Sequence, residues 1–173
     1  IVVPSTIDFG KDVLVLDRKQ SVRDIVDHFA AKGRKKIVYF NSTERMSDNA
    51  FLEQLKLHGL CTLDKHVFHL TGRWLEKEQL IGDVFLDTLQ QASGGKITFD
   101  AVITSCDEGA VALTNYFIEK GYKVPEDVAV AGFNDSSMAS YLRPQLASVN
   151  RCDAELAETV TGMLMKRIKN PKM

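Results

Sequence analysis

Polar side chains follow two short apolar runs in the second half of the chain, at the points where each run would end as a strand. Cys106 and Asp107 come after the run 99–103, and Asn134–Asp135 come after the run 128–133. Carboxylate, amide and other polar groups that lie together can hold a small ligand through hydrogen bonds. Because ligands of open α/β sheets bind at the carboxyl ends of the strands, this pattern predicts a small-molecule site there.

Each of these residues also has a purely structural interpretation. Asp107 is a good N-cap for a following helix, and a partly buried Cys106 is commonly a small apolar side chain. Asn134 and Asp135 are typical of an Asx-type turn. The sequence leaves both interpretations open for each residue.

No catalytic or metal-binding arrangement is indicated elsewhere in the chain. The sequence contains no nucleophile elbow, no P-loop and no GxGxxG after a strand. The three cysteines show no CxxC spacing, and the four histidines show no metal-ligand spacing. His66 and His69 alternate with apolar residues in a short predicted strand, which makes a zinc site there improbable. We therefore predict no enzyme activity, no cofactor and no metal, in a reduced, cytoplasmic protein.

The polar residues belong to a predicted strand–helix–strand unit. The apolar run 99–103 predicts the first strand, and the helix that begins at Asp107 ends at Gly121, a natural residue for a helix C-terminus. A polar turn at 124–127 leads into the second strand, 128–133. Such a connection makes the two strands parallel, with a right-handed crossover.

The same alternation extends over the rest of the chain. Apolar residues at helical spacing predict helices, and short β-branched runs predict strands. The segment after Asp135, with Tyr141 and Pro144, is predicted to be irregular. This order predicts an α/β fold with a doubly wound parallel sheet and helices on both faces. The further predicted helices are 21–32, a helix around Phe51 that ends near Gly59, 76–91 and 153–169, and the further predicted strands are 36–40 and 67–70.

Composition and charge narrow the class of protein. A length of 173 residues is enough for one domain with a sizeable core. The 22 Lys and Arg residues nearly balance the 23 Asp and Glu residues, and the basic cluster at 34–36 is predicted to be a solvated helix end. We therefore expect these residues not to bind DNA by themselves. No apolar stretch approaches transmembrane length and no signal peptide is recognised, so no membrane partner is expected.

The stretch from Phe99 to Val149 resembles the effector-binding domain of LacI/GalR-type transcription regulators. The similarity lies in an Asp-Glu pair that opens a helix, a Gly-x-x-Val-Pro-x-Asp turn, a Gly-Phe-x-Asp strand end and a Pro-x-Leu return, in that order. The resemblance implies a periplasmic-binding-protein-like fold that binds a small, sugar-like effector between two lobes to control DNA binding. The alternatives are a sensor on another signalling output, a solute-binding protein, or a domain that has lost small-molecule binding.

The resemblance also implies which residues contact the effector. Similar proteins use an Arg, an Asn, an Asp and a Trp. The Arg position falls on Ser47, with Arg45 two residues away, the Asn position is Cys106 and the Asp position is Asn134. Trp74 matches the Trp, although ordinary packing explains it equally well. The predicted ligand-binding residues are Arg45, Ser47, Trp74, Cys106, Asn134, Asp135 and Tyr141.

By the same resemblance the chain has three parts. Residues 1–16 would be a remnant of the amino-terminal subdomain with a crossover strand, and residues 17–149 the carboxyl-terminal effector-binding subdomain. Residues 150–173 would be a helix returning toward the amino-terminal subdomain. DNA contact is expected only through a helix-turn-helix region that these 173 residues lack.

The helix 153–169 carries an apolar face that is too large to leave in water. We expect this face to pack on Ile1–Val3 and Ile7, or on a second copy of the chain. A homodimer is the predicted assembly. The apolar face consists of Leu156, Val160, Met163, Leu164 and Ile168.

Overall fold

The structure, a computed structural model, describes residues 17–41, 47–70, 80–94 and 96–170. Helices and strands alternate through most of these ranges. The strands are β1 (Ile37–Asn41), β2 (Val67–His69), β3 (Ala101–Thr104), β4 (Ala129–Phe133) and β5 (Ala147–Val149). The helices are α1 (Arg18–Ala31), α2 (Asp48–Leu57), α3 (Ile81–Ser93), α4 (Asp107–Glu119), α5 (Ser137–Tyr141) and α6 (Asp153–Lys169).

The strands form one parallel sheet in the order β2-β1-β3-β4-β5. The connection β3–α4–β4 is the strand–helix–strand unit expected from the sequence, and its strands pair in register, with Ala101 opposite Ala129. The predicted α/β fold with a doubly wound parallel sheet is confirmed.

Successive residues of each central strand point to opposite faces of the sheet, and each face is buried by helices. On β1, Ile37 and Tyr39 belong to the core under α1 and α2, whereas Val38 and Phe40 belong to the core under α3, α4 and α5. All four side chains are at most 1% exposed. Burying an apolar side chain of this size contributes roughly 1.5–3 kcal/mol, so both layers stabilise the sheet that carries the polar strand ends.

Two helix starts differ from the sequence expectation. Helix α1 begins at Arg18, so Ser21 lies inside the helix and is not its N-cap. The N-cap of α4 is Cys106, and Asp107 is the first helical residue. The carboxylate of Asp107 is occupied by Ser136, in the loop after β4, and by Ser148, in β5, which is why it does not cap its own helix.

The segment after Asn134 is more regular than expected. It contains the short helix α5 and the edge strand β5. Both are brief and partly polar, so neither carries a clear period. The predicted helix 76–91 is observed as α3 from Ile81, and residues 76–79 lie outside the described ranges.

Arg18–Val149 forms one compact unit, and the chain from Asn150 onward belongs to a second unit. In that second unit α6 has the predicted bounds, and none of its residues is buried. Within the described part of the chain, no helix combines the length and apolar character needed to cross a bilayer.

Candidate functional site

The carboxyl ends of the parallel strands lie along one edge of the sheet. Cys106 follows β3 and Asn134 follows β4, and these two strands are neighbours about 4.8 Å apart. At the same edge, β1 ends at Asn41 and β2 ends at His69, which are paired in register. The structure therefore brings Cys106, Asn134 and Asp135 to one edge, together with two polar residues that the sequence had not suggested as ligand contacts.

Cys106 is buried where β3 turns into α4, with extended backbone (φ −158°). Burial raises the pKa of its thiol to about 12, although a hydrogen bond with the backbone of Gly109 acts in the opposite direction. The thiol is therefore protonated under physiological conditions and is a poor nucleophile. It can contribute shape and a weak hydrogen bond to a site.

Asp107 is completely buried, and its carboxylate joins three elements. Its Oδ2 accepts a hydrogen bond from the backbone N–H of Ser136 at 2.6 Å, and its Oδ1 accepts one from the hydroxyl of Ser148 at 2.5 Å. A side chain at Gly132 would overlap with Asp107 Oδ1, so the close approach of β4 to α4 requires glycine. Asp107 fixes the loop after β4 and is not itself open to a ligand.

Asn134 and Asp135 form the turn that Asp107 holds. Both have positive φ angles, 102° and 47°, which are uncommon for residues other than glycine. The backbone N–H of Asn134 donates to Val149 O at 3.0 Å, and that of Asp135 donates to the hydroxyl of Ser148 at 2.9 Å. Backbone hydrogen bonds to β5 thus keep both residues at the edge of the sheet.

Ser47 lies just before α2, and its side chain is buried. Its hydroxyl is 3.1 Å from the hydroxyl of Tyr39 and accepts a hydrogen bond from Asn41 Nδ2 at 3.3 Å. Burial is also the main reason that the pKa of Tyr39 is raised. The position that the family resemblance assigns to an Arg is therefore occupied by a small hydroxyl inside a hydrogen-bonded layer.

Asp48 and His69 form a polar pair beside this layer. Asp48 Oδ1 accepts a hydrogen bond from Asn41 Nδ2 at 2.7 Å, and Asp48 Oδ2 lies 2.7 Å from His69 Nε2. The pair joins the start of α2 to the end of β2. It places an imidazole at the carboxyl edge, near the end of β1.

Arg18, the first residue of α1, also reaches the strand ends. Its guanidinium donates to the backbone carbonyl of Ser105 and lies 4.3 Å from the centre of the Phe133 ring. Its Nε is buried and has no hydrogen-bond partner among the described residues. Arg18 therefore brings a positive charge close to the turns that follow β3 and β4.

Of the remaining predicted site residues, only Tyr141 lies within the described ranges. Tyr141 ends α5 and is 81% exposed. Arg45 and Trp74 lie outside the described residues. No group of three His, Cys, Asp or Glu that could hold a metal ion occurs in the ranges that the structure describes.

Surface grooves occur on other parts of the described structure, and one of them reaches the end of β5. One, of about 310 Å³, lies between α1 and the strands β4 and β5 and is lined by Ile25, Phe29, Ala131 and Val149 among others. The other, of about 340 Å³, lies near the end of α1, beside Asp27 and His58. Among the described residues, none of the predicted ligand-binding residues lines either groove.

With this geometry, comparison with known proteins identifies the family. The sequence pattern of the periplasmic binding protein-like domain matches residues 26–173. The chain belongs to this family. The sequence resemblance to the effector-binding domains of LacI/GalR regulators is confirmed by relatives and by solved structures.

Among the relatives of this periplasmic binding protein-like domain are two regulators of Escherichia coli strain K12. The HTH-type transcriptional regulator AscG is 28% identical over 156 residues, which cover 86% of this chain and 44% of the regulator. The ribose operon repressor is 30% identical over 87 residues, which cover 50% of this chain and 26% of the repressor. The chain thus spans less than half the length of these relatives.

The fold is shared with a LacI family transcriptional regulator from Lactobacillus casei whose crystal structure holds bound glucose. The TM-score is 0.80 at 24% sequence identity, and the match covers 96% of this chain and 63% of that one. This likeness shows the fold of the periplasmic binding protein-like domain.

Sequence reasoning missed four polar residues of this domain that lie at or near the strand ends. The sequence does not suggest Asn41, Asp48 or Arg18 as ligand contacts, and it suggests His69 only as an improbable metal ligand. The Arg18–Ser105 and Asp48–His69 contacts join residues far apart in the chain, so no local sequence pattern indicates them. One available signal was the polar character of residues that directly follow buried apolar runs, which applies to Asn41.

Proposed function

We propose that this chain is the effector-binding domain of a LacI/GalR-type transcription regulator and that it binds a small, polar, sugar-like molecule. The proposal rests on the family and on the polar groups that the strands carry to one edge. The relatives named above are transcriptional regulators, which supports this output over a solute-binding protein or an enzyme.

One observation carries the binding proposal: the turn at Asn134 and Asp135 is held in a costly conformation by a buried carboxylate. Asn and Asp adopt positive φ angles more readily than other residues apart from glycine, but two such angles in succession still cost free energy and persist where the surrounding structure imposes them. Such conformations cluster at ligand sites because they present polar groups in a fixed direction. Asp107 and Ser148 supply the hydrogen bonds that impose the turn.

The edge would form one half of a two-lobed site. Asn134 is only half-buried and Asp135 is exposed, so an effector at these strand ends needs a second wall to be enclosed. In this proposal residues 17–149 form the carboxyl-terminal lobe, and the second lobe closes on the effector. Closure would shift a two-state equilibrium that sets the spacing of attached DNA-binding heads in a cytoplasmic homodimer.

Within this site the predicted residues take different parts. Cys106, Asn134 and Asp135 would contact the effector, and Tyr141 would lie at the rim. Ser47 would support the site without contacting the effector, since its hydroxyl is already hydrogen-bonded to Tyr39 and Asn41. Arg45 and Trp74 remain proposed contacts.

A thermal-shift and calorimetric screen of the full-length regulator, in which both proposed lobes are present, with glucose, ribose and sucrose tests the proposal. A ligand at one hundred times its dissociation constant stabilises the folded state by about 2.7 kcal/mol. For a domain of the size of this chain that corresponds to a rise in Tm of roughly 5–10 °C. Binding of at least one neutral sugar, weakened by Asn134→Ala, is expected. If no sugar in the screen binds, the proposed effector class is wrong.

A second test concerns DNA. Because the net charge is −1 and DNA binding is assigned to a region outside these residues, residues 1–173 should not bind DNA in a sequence-selective manner. An electrophoretic mobility assay at two salt concentrations measures this. A sequence-selective, salt-dependent shift would contradict the proposal that only a region outside these residues binds DNA.

A further inference from the structure

The hydrogen-bond partner of His69 determines which nitrogen of its ring carries the proton. The Asp48 carboxylate can only accept hydrogen bonds when it is ionised, and its Oδ1 already accepts one from Asn41 Nδ2. His69 Nε2, 2.7 Å from Oδ2, must therefore carry the proton and donate it to Asp48. In the neutral imidazole the other nitrogen, Nδ1, is then a hydrogen-bond acceptor.

The ring that carries this acceptor lies at the end of a strand and is partly exposed. His69 is the last residue of β2, in register with the end of β1, and its side chain remains 34% exposed, whereas that of Asp48 is only 12% exposed. No hydrogen bond to His69 Nδ1 is formed within the described ranges. The pair thus holds the imidazole by one nitrogen and leaves the other free.

We propose that His69 is a specificity-determining contact of the effector site, with Nδ1 accepting a hydrogen bond from an effector hydroxyl. This inference rests on the proposed function. The position that the resemblance gives to an Arg is here the buried Ser47, and the accessible group beside it is an acceptor with a carboxylate behind it. At the His69 position the site therefore favours a ligand group that donates a hydrogen bond over a carboxylate.

Two substitutions separate a contact role from a merely structural one. The amide of His69→Gln reaches the position of Nε2, so it keeps the donor to Asp48 and loses the acceptor at Nδ1. The amide of His69→Asn reaches the position of Nδ1, so it keeps an acceptor there and loses the bond to Asp48. His58→Ala is the matched control, because His58 Nε2 also lies 2.6 Å from a carboxylate, that of Asp27, but at the far end of α2.

The experiment is calorimetric titration of the purified full-length regulator, in which both proposed lobes are present, and of these variants with glucose, ribose and sucrose, and with glucuronate as the charged counterpart of glucose. The titrations are run at about pH 8.5, above the range in which imidazoles ordinarily titrate. The bound neutral sugar should lose about tenfold in affinity in His69→Gln, as expected for one hydrogen bond in a desolvated site, and less in His69→Asn. Glucuronate should bind at least about tenfold more weakly than glucose to the parent protein.

The outcomes separate the two proposals. If a neutral sugar binds and His69→Gln binds it as tightly as the parent protein, the role of His69 is wrong and the proposed function stands. Tighter binding of glucuronate than of glucose also overturns the inference. If no sugar binds at all, the proposed function fails and the inference fails with it. His58→Ala should leave every affinity within about twofold, and a larger effect would show that loss of any His–carboxylate pair weakens binding.

Discussion

Asp107 and Ser148 are 41 positions apart in the sequence, yet the carboxylate of one accepts a hydrogen bond from the hydroxyl of the other at 2.5 Å. The same hydroxyl accepts the backbone N–H of Asp135, and the second oxygen of Asp107 accepts that of Ser136. One buried carboxylate thereby ties the start of α4 to β5 and to the turn after β4. Removing the Asp107 carboxylate should therefore lower the stability of the fold and disturb the turn at the proposed site.

Asp107→Ala should lower the free energy of unfolding by about 3 kcal/mol. Two hydrogen bonds to a carboxylate are removed, each worth about 1.5–3 kcal/mol, and because the Ser136 N–H is only half-buried, water can partly replace its lost acceptor. Urea unfolding followed by circular dichroism measures the change. Asp83→Asn, an exposed acidic residue in the first turn of α3, is the control and should cost less than about 1 kcal/mol. A variant at position 107 within about 0.5 kcal/mol of the parent would show that the network is not stabilising.

The contrast between Asp107 and the α1 helix shows what the sequence could reveal. The apolar positions Val22, Val26 and Phe29 recur at helical spacing, and α1 formed where that period indicated. The parallel sheet was predictable for the same reason, because its buried strands are short apolar runs. Asp107 looked like an N-cap because local sequence shows only its neighbours, whereas its partners Ser136 and Ser148 come from other elements.

The candidate site was predictable only in part. The strand-end positions of Cys106 and Asn134 followed from the apolar runs that precede them. The Asp48–His69 pair could not be read in the same way, since it depends on α2 and β2 meeting across 21 positions. Short elements such as α5 and β5 also escaped prediction because tertiary packing, more than local preference, determines them.

The three cysteines should react at very different rates with a thiol reagent. Cys61 and Cys152 are exposed, whereas burial raises the pKa of Cys106 to about 12. At about pH 8 only about one in ten thousand Cys106 thiols would be ionised, and the thiolate is the reactive form. Titration with Ellman's reagent should show two fast equivalents and one slow one. The Cys61→Ser, Cys152→Ser double variant should lack the fast phase, and three fast equivalents in the parent protein would contradict the burial of Cys106.

The Asp27–His58 pair should give a small, pH-dependent contribution to stability. Hydrogen bonds from Gln54 and His58 hold the pKa of Asp27 below its ordinary value. A lowered pKa stabilises the folded state above the ordinary carboxyl range, and that contribution is lost as pH falls through the lowered pKa. Because the Asp27 side chain is about half exposed, the cost of Asp27→Asn should stay below about 1 kcal/mol near pH 6.

Urea unfolding of the parent protein and of Asp27→Asn between about pH 3 and pH 6 measures this difference. The gap between the two proteins should shrink toward the acidic end of that range. Asp64→Asn, a carboxylate that is exposed and has no hydrogen bond in the described structure, serves as the control and should show no such trend. A gap that grows on acidification would contradict the assigned hydrogen bonds.

The apolar face of α6 should mediate self-association. In the single chain Leu156, Val160 and Met163 are only partly buried, and Leu164 and Ile168 are exposed. Covering side chains of this type contributes roughly 1.5–3 kcal/mol each when burial is complete, so a second copy that covers them would gain substantial free energy. The prediction that this face is covered, by a second copy or by Ile1–Val3 and Ile7, stays open, and a homodimer is the form we propose.

Sedimentation equilibrium of the parent protein and of two matched variants tests this prediction. Leu164 and Met165 are equally exposed, at 49% and 48%, but successive helical residues point about 100° apart, which places only Leu164 on the apolar face. Leu164→Glu should therefore weaken the dimer at least about tenfold, since it would bury a charge, and Met165→Glu should leave it within about twofold. Equal effects of the two substitutions would place the contact elsewhere. A parent protein that stays monomeric at high concentration would exclude the dimer and leave the residues near the amino terminus as the cover for this face.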